Sequence, residues 1–293
     1  MSDLKKRISM FTILNTGFLI IAALLCIIPL IHIAAVSFSS SSVAATGAVT
    51  LWPKEFSLNS YKYVAARPAF WQSMLVSTER IVLGGAINLL LTILVAYPLS
   101  KEKHEFRSRS FYSWAFFITM LFGGGLIPWY MVIKQLDMIN KIWALVLPGA
   151  VPVFSVIILL NFFRQVPKEL SEAAFIDGAG HWTTLFKVFV PVSTPALATI
   201  LLFSLVGHWN SWFDGLILMN DPKRYPLQSY IQTIVVQRTY SMMTREEIQQ
   251  LATISDRTLR SSQIFLGSLP IIAVYPFLQK YFVKGIVLGG VKG

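Results

Sequence analysis

Six long apolar runs dominate this chain of 293 residues. Each run has 19 to 26 residues, and a helix needs about 20 residues to cross a hydrocarbon core about 30 Å thick. Only 13% of the residues are charged, against about 25% in an ordinary soluble domain. The sequence therefore predicts an all-α integral membrane protein, built as a bundle of six transmembrane helices.

We expect a single transmembrane domain over residues 1–293, because no polar segment is large enough to fold alone. Glycine and proline interrupt several runs, as in the stretch FGGGLIP at 122–128, and such residues bend membrane helices.

A secretory signal has a core of about 7–15 residues. The first run is far longer, so we expect it to remain as an uncleaved helix. The predicted spans are 11–36, 74–99, 111–133, 143–163, 195–219 and 264–283.

The distribution of lysine and arginine predicts the orientation of the chain. With the N-terminus inside the cell, the short inside segments hold 13 of these residues and the longer outer loops hold 11. Because basic residues favour the cytoplasmic side, we expect both termini in the cytoplasm. Loop 164–192 and tail 284–293 are then inside, and loop 220–262 is outside. The net charge of +11 accordingly indicates topology and lipid contact, not nucleic-acid binding.

The outer loop 220–262 carries two local signals. The stretch NDPKRYPL predicts a turn from its Asn, Asp and Pro residues. Further along, Thr244 is followed three residues later by Glu247, the spacing of a capping box, ahead of an apolar periodic segment. We therefore expect a short amphipathic helix there, outside the membrane.

Motifs for catalysis, metal binding or nucleotide hydrolysis do not occur in the sequence. A phosphate-binding G-x-x-x-x-G-K-[ST] loop is excluded because the dipeptide Gly-Lys does not occur, and H-E-x-x-H and G-x-S-x-G do not occur either. The four histidines are scattered and Cys26 is the single cysteine. We therefore predict a non-catalytic chain without a metal site or a cofactor of its own.

The fifth run contains a polar and aromatic segment, GHWNSWFDG, at 207–215. On one continuous helix, His208 and Trp212 would share a face, as would Asn210 and Asp214. One interpretation is the wall of a solute pathway, formed by His208, Trp209, Asn210, Trp212 and Asp214. The other is an outer aromatic belt with Asp214 among the headgroups. The alternative function is an ion-coupled secondary transporter, in which His208 and Asp214 would bind the coupling ion within the membrane.

A charged pair, Glu79 and Arg80, precedes the uncharged part of the second run. Charged side chains at the end of a membrane helix commonly pair with each other or extend toward water. We interpret this pair as a helix end in the membrane interface.

The polar segment ELSEAAFIDGAGHWTTLFKVFVP, residues 169–191, separates two nearly uncharged runs. Pro167 suits a first helical turn, and acidic residues near it favour the helix N-terminus. Gly178 and Gly180 can adopt the left-handed conformation that ends a helix. Thr183 or Thr184 could then cap a second short helix that stops at Pro191. We call residues 164–192 the elbow, since the pattern predicts helix, glycine turn and helix. From these residues alone, the elbow could dock in a groove of another protein or lie in the membrane interface as an amphipathic hairpin without a partner.

The elbow resembles the EAA signature of permease subunits in bacterial ATP-binding-cassette importers, E-A-A-x-x-x-G-x9-I-x-L-P. Glu172, Ala173, Ala174, Gly178 and Pro191 match at the right spacing, with valines in place of the Ile and Leu. The stretches FSLNSYKYV, WNSWFDGLIL and YPFLQKYFVKGIVLGGVKG extend the resemblance to the carbohydrate-uptake group. It covers essentially the whole chain.

The resemblance implies a six-helix permease of the type I importer kind in the bacterial inner membrane. Its implied partners are a second permease subunit, two ATPase subunits that bind ATP and magnesium, an external solute-binding protein and a carbohydrate. The ATPase-coupling residues would be Glu172, Ala173, Ala174, Asp177, Gly178, Gly180 and Pro191. The C-terminal tail, 285–293, would be a second ATPase contact. The ending resembles the subgroup for oligosaccharides or polysaccharide fragments, with alginate as one expected substrate.

Overall fold

The computed structural model describes residues 10–236 and 255–289. Across these ranges the chain is helical, and Ser39 and Phe56 form an isolated antiparallel bridge. The amphipathic helix predicted from Thr244 onward lies outside the described residues. So does the end of the tail, from residue 290.

The chain divides into two compact units. The first unit comprises residues 1–68 and 233–269. Its aromatic residues meet at Phe38, whose ring stacks on Tyr61 at 4.9 Å between centroids and meets Phe265 edge-on at 5.8 Å. Its helices are α1 (Met10–Ser37), α2 (Ser41–Ala45), α3 (Asn59–Ala65) and part of the last described helix, α15 (Asp256–Gly289).

The second unit comprises residues 69–232 and 270–293. Its α-helices are α4 (Pro68–Ser100), α5 (Arg109–Leu121), α6 (Leu126–Gln135), α7 (Trp143–Val146), α8 (Val153–Gln165), α9 (Lys168–Ile176), α10 (His181–Thr184), α11 (Val190–Val192), α12 (Thr194–Asn210), α13 (Phe213–Leu218), most of α14 (Leu227–Val236) and the remainder of α15. Short 3-10 helices at Leu147–Gly149 and Pro222–Arg224 and a π-helix at Leu185–Phe189 join them. The first of those 3-10 helices contains Pro148, and the second confirms the turn predicted from NDPKRYPL.

The core of the second unit forms where α4, α8 and α12 meet. Leu159 and Phe163 of α8 and Ile200 of α12 are almost completely buried, together with Ala96 and Tyr97 of α4. Burying a leucine or isoleucine side chain contributes about 1.5–3 kcal/mol when water is the alternative solvent. Leu185 and Phe189 of the elbow belong to the same cluster of buried residues. The core therefore also packs against the elbow, near the end of α4.

Two of the predicted spans are bent, and a third bend lies just before the predicted span 195–219. The helices α5 and α6 meet at 115° across the glycine stretch, where Gly125 has a φ of +83°. A bend of 49° separates α7 and its 3-10 extension from α8, and a bend of 84° separates the end of the elbow from α12. Glycine and proline account for the first two bends, since one permits a left-handed turn and the other removes a backbone donor.

Two helices, α1 and α4, are long and apolar enough to cross a membrane. Counting each bent pair as one span raises the number to five within the described residues. The sixth predicted span, 264–283, lies within α15 and does not enter that count.

Candidate functional site

The middle of the buried face of α4 carries a row of small and polar side chains. Arg80, Gly84, Asn88 and Thr92 follow one another at intervals of four residues, and all four are buried. This spacing places them in one row along a helix. Polar groups within a membrane helix face the protein interior, where other side chains can satisfy them. The row therefore marks the side of α4 that faces a polar interior.

Arg80 forms an ion pair with Asp214, which lies in the first turn of α13. The guanidinium Nη1 donates to Asp214 Oδ1 at 3.2 Å, and Nη2 makes a second contact to Oδ2. The Ser211 hydroxyl at 2.8 Å and the Gly215 amide at 2.9 Å also donate to Oδ1. Only 3% of Arg80 is exposed. The carboxylate is thus held by three separate donor groups, and the two charges compensate each other.

His208 of α12 lies directly over Gly84. A Cβ atom on Gly84 would stand 2.3 Å from His208 Nε2, so the imidazole fits only because this position is glycine. Arg80 Nε donates to His208 Nδ1 at 3.4 Å, and the amide nitrogen of Asn88 lies 3.2 Å from Nε2. The same amide nitrogen donates to Ser204 Oγ at 3.0 Å. These contacts fix α12 against the polar row of α4.

A cavity of about 480 Å³ opens beside this cluster. Its lining includes the polar residues Arg80, Asn88, His208 and Asp214 and the aromatic residues Trp129 and Phe203. Cavities that bind small molecules typically have about 300–1,000 Å³ and combine apolar walls with a few polar groups. This cavity is therefore large enough for a sugar residue, with hydrogen-bonding groups and aromatic faces in its lining.

The structure brings two of the five predicted pathway residues together, His208 and Asp214. Trp209 is buried and lines a different, apolar cavity of about 210 Å³. Asn210 and Trp212 are exposed, and neither lines the polar cavity. The predicted face-sharing of His208 with Trp212 and of Asn210 with Asp214 was wrong. The helix ends at Asn210, and Ser211 is extended with a ψ of 124°.

The interpretation of Arg80 as a helix end in the interface was also wrong. Arg80 lies within α4, is buried, and pairs with a residue 134 positions further along the chain. The four-residue spacing of Arg80, Gly84, Asn88 and Thr92 was the available signal. A polar row at that spacing in an apolar run indicates a helix face turned away from lipid.

The elbow begins with α9 and a glycine turn, as predicted. The amide of Gly178 donates to Phe175 O at 3.0 Å, and the amide of Ala179 donates to Ala174 O at 2.9 Å. This pair of bonds is the Schellman arrangement, which requires a left-handed residue directly after the helix cap. Gly178 supplies it with a φ of +81°. No atom would lie within 4 Å of an added Cβ there, so the backbone conformation alone selects glycine.

The second half of the elbow differs from the prediction. Gly180 is not left-handed, since its φ is −80°, and it forms the N-cap of α10. Thr184 lies inside the helix and donates to the Gly180 carbonyl at 3.1 Å. The helix also continues through Pro191 and bends only after Val192. A π-helical turn at 185–189 precedes this proline, and such a wider turn accommodates a residue without a backbone donor.

The outer surface of the elbow has few contacts with the described remainder of the chain. Helix α9 contains no buried residue, and Glu172, Ala173 and Asp177 are exposed. At the turn, Ile176 is 86% exposed and Trp182 is 67% exposed. These two side chains form an exposed apolar surface at the turn.

An exposed ion pair joins the elbow to the loop after α4. Lys168 donates to the Glu102 carboxylate. The hydrogen bond from Lys168 lowers the pKa of Glu102, and the same bond raises the pKa of Lys168. Both shifts favour the charged forms, so the pair is intact at neutral pH.

This fold and this pair of sites define a membrane transport subunit. A family model described as "Binding-protein-dependent transport system inner membrane component" matches residues 68–288. The chain belongs to this family, whose members are permease components of transport systems. The matched range includes α4, the elbow and the polar cluster, so the sites described above lie within the part of the chain that the family model covers.

Individual relatives refine this assignment. The chain is 37% identical to the polygalacturonan/rhamnogalacturonan transport system permease protein YtcP of Bacillus subtilis (strain 168), over 99% of this chain and 100% of YtcP. It is 28% identical to the lactose transport system permease protein LacG of Rhizobium radiobacter, over the full length of both chains. Among solved structures, it resembles a chain of a bacterial ABC transporter involved in the import of the acidic polysaccharide alginate. That match has a TM-score of 0.85, 29% identity, and covers 96% of this chain and 100% of the other.

Proposed function

We propose that this chain is one of two permease subunits of an ATP-driven, binding-protein-dependent importer of oligosaccharides. Membership of the permease family carries this proposal. The second permease completes the pathway, two ATPase subunits bind ATP and magnesium, and an external protein delivers the solute. The chain itself binds no nucleotide in this scheme, in keeping with a sequence that lacks a phosphate-binding loop.

The elbow is the part of this chain that we assign to the ATPase. Its exposed helix α9 carries Glu172, Ala173 and Ala174, and Gly178 sets the turn behind them. The exposed Ile176 and Trp182 side chains supply apolar area for a groove in the partner. ATP binding draws the ATPase subunits together, and the elbow carries this motion into the bundle. Hydrolysis then resets the bundle.

We further propose six spans, with both termini and the elbow in the cytoplasm of a bacterial inner membrane. The support for this arrangement is the distribution of lysine and arginine, together with the need for the elbow to meet a cytoplasmic ATPase. The polar cavity beside Arg80 and His208 then belongs to the translocation pathway. Its aromatic walls suit the apolar faces of sugar rings.

The solute that we propose is an oligosaccharide containing uronic acids. YtcP is named for polygalacturonan and rhamnogalacturonan, and the solved neighbour imports alginate. The basic residues of the outer loop, including Lys223 and Arg224, would favour an acidic chain as it arrives.

Affinity purification of the tagged chain from its host membrane tests the assembly. We expect a second permease and an ATPase subunit in the same complex. After reconstitution with the solute-binding protein, the complex should take up oligogalacturonides when ATP is supplied on the cytoplasmic side. Lactose serves as the neutral comparison. Purification of the chain alone, with uptake driven by a proton or sodium gradient and not by ATP, would contradict the proposal.

A further inference from the structure

A lysine side chain lies among three aromatic rings where α4 meets the elbow. Lys101 directly follows α4, and its Nζ atom stands 4.8 Å from the ring centroid of Tyr97 and 4.9 Å from that of Phe189. The third ring, Phe175, is 5.7 Å away. All three distances are within about 6 Å, the range in which an ammonium group is attracted to the face of a ring. We call Lys101 and these three rings the lysine cage.

The three rings come from separate parts of the chain. Tyr97 belongs to α4, Phe175 belongs to α9, and Phe189 ends the π-helical turn of the elbow. Tyr97 and Phe189 are buried, whereas Phe175 lies on the exposed helix. Burial lowers the pKa of Lys101, which agrees with an ammonium group that is partly removed from water. One cation thus contacts both halves of the elbow and the end of α4.

The elbow is linked to the two core helices in different ways. It continues covalently into α12 through the bend after Val192. Helix α4, by contrast, reaches the elbow through space. The apolar core joins it to the second half of the elbow, where the Tyr97 ring meets Phe189 edge-on at 5.1 Å and the Tyr97 hydroxyl lies 3.5 Å from His181 Nδ1. Helix α9 is joined to this end of α4 by Phe175 in the lysine cage and by the exposed pair of Glu102 and Lys168, as far as the described contacts show. Solvent screens an exposed ion pair strongly. A half-buried ammonium between ring faces is screened less.

We infer that Lys101 is a positioning residue for coupling, which fastens α9 to the end of α4 so that both move together when the ATPase moves the elbow. This inference rests on the proposed function and adds a residue to it. Helix α4 carries Arg80 and Asn88 at the polar cavity. A displacement of the elbow therefore reaches the cavity through two helices. It reaches α12 by the covalent connection, and it reaches α4 by the shared core and by the lysine cage, which is the part that holds α9.

Two fluorescent reporters on the assembled complex test the inference. In a Cys26→Ser background, a bimane label at Glu169→Cys reports on the elbow, and a second at Leu75→Cys reports on α4. ATP with vanadate is the stimulus, so no transported solute is needed. Lys101→Met keeps the apolar stem and removes the charge, Lys101→Arg keeps the charge, and Lys103→Met removes a charge from an exposed neighbour.

With Lys101→Met we expect the ATP-dependent signal at Leu75→Cys to fall at least threefold, while the signal at Glu169→Cys persists. Lys101→Arg should restore most of the α4 signal, and Lys103→Met should leave both signals unchanged. A wild-type α4 signal in Lys101→Met would overturn the inference and leave the proposed function intact. If neither reporter responds in the parent background, the proposed function fails, and the inference with it.

A second variant covers the case in which Lys101→Met does not assemble. Phe175→Leu removes one ring of the lysine cage from helix α9, which contains no buried residue, and with it the edge-on contact of that ring with His181 at 5.2 Å. We expect it to weaken the α4 signal in the same way. An unchanged α4 signal in Phe175→Leu would also overturn the inference.

Discussion

Removal of the Asp214 carboxylate should destabilise the protein more than removal of an exposed carboxylate. In Asp214→Asn the buried Arg80 guanidinium keeps only long contacts besides the new amide, to the Ser211 carbonyl and to His208 Nδ1, both at 3.4 Å. Breaking a buried ion pair on one side costs about 3–5 kcal/mol, because the other charge stays buried without its partner. The new amide oxygen still accepts one bond, so we expect a loss of about 3 kcal/mol.

Removal of the Arg80 charge should lower the stability of the protein by less than removal of the Asp214 carboxylate. In Arg80→Met the Asp214 carboxylate still accepts from the Ser211 hydroxyl and the Gly215 amide, at 2.8 and 2.9 Å. We therefore expect a loss of about 1.5 kcal/mol, the scale of one hydrogen bond to a charged group. In the double variant neither charge is left buried alone, so its loss should be smaller than the sum of the two single losses.

The free energy of unfolding, measured by denaturant titration in detergent micelles, checks these values. The matched control is Asp137→Asn, which removes a similar carboxylate from an exposed pair with Lys141 at 2.6 Å. Exposed pairs contribute little, so its effect should be much smaller. Equal losses for Asp214→Asn and Asp137→Asn would refute the account of the polar cluster, as would additive losses in the double variant.

Two further predictions use pairs of glycines. Gly178→Val forces a side chain into the left-handed region at a cost of about 1–2 kcal/mol, and it should lower the amount of solute transported per ATP. Gly180→Val, at a φ of −80°, should have neither effect. Gly84→Ala should displace His208 and cost about 1–3 kcal/mol of stability. Gly207→Ala meets open space and should be neutral or stabilising. Equal behaviour within either pair, in transport stoichiometry or in unfolding, would contradict the corresponding prediction.

Local patterns allowed the first half of the elbow to be predicted. A proline at the start, an acidic residue in the first turn and a following glycine are short-range signals, and α9 with its turn at Gly178 matches them. The prediction failed at Gly180, whereas the second helix ends at Val192, one residue beyond the predicted stop at Pro191. Glycine is compatible with several backbone conformations, and the sequence alone does not specify which of them Gly180 adopts. Core packing around Leu185 and Phe189 determines the local path of the chain instead.

The polar cluster could be predicted only in part, for a different reason. Asp214 and His208 stood out as polar residues in an apolar run. Arg80 did not, because a charge near the start of a run is ordinarily a helix end. Its partner lies 134 residues away, and one sequence does not reveal pairs at that distance. The lysine cage was missed in the same way, since its rings come from three elements.

The proposal that a separate ATPase moves this chain through its elbow is tested most directly by cross-linking. In a Cys26→Ser background, a cysteine at Ala173 should form a covalent product with an ATPase subunit in a complex that retains ATP-driven uptake. A cysteine at Lys223, in the predicted outer loop, should form none. A fully active complex in which Ala173→Cys never captures the ATPase, or in which Lys223→Cys does, would contradict the account.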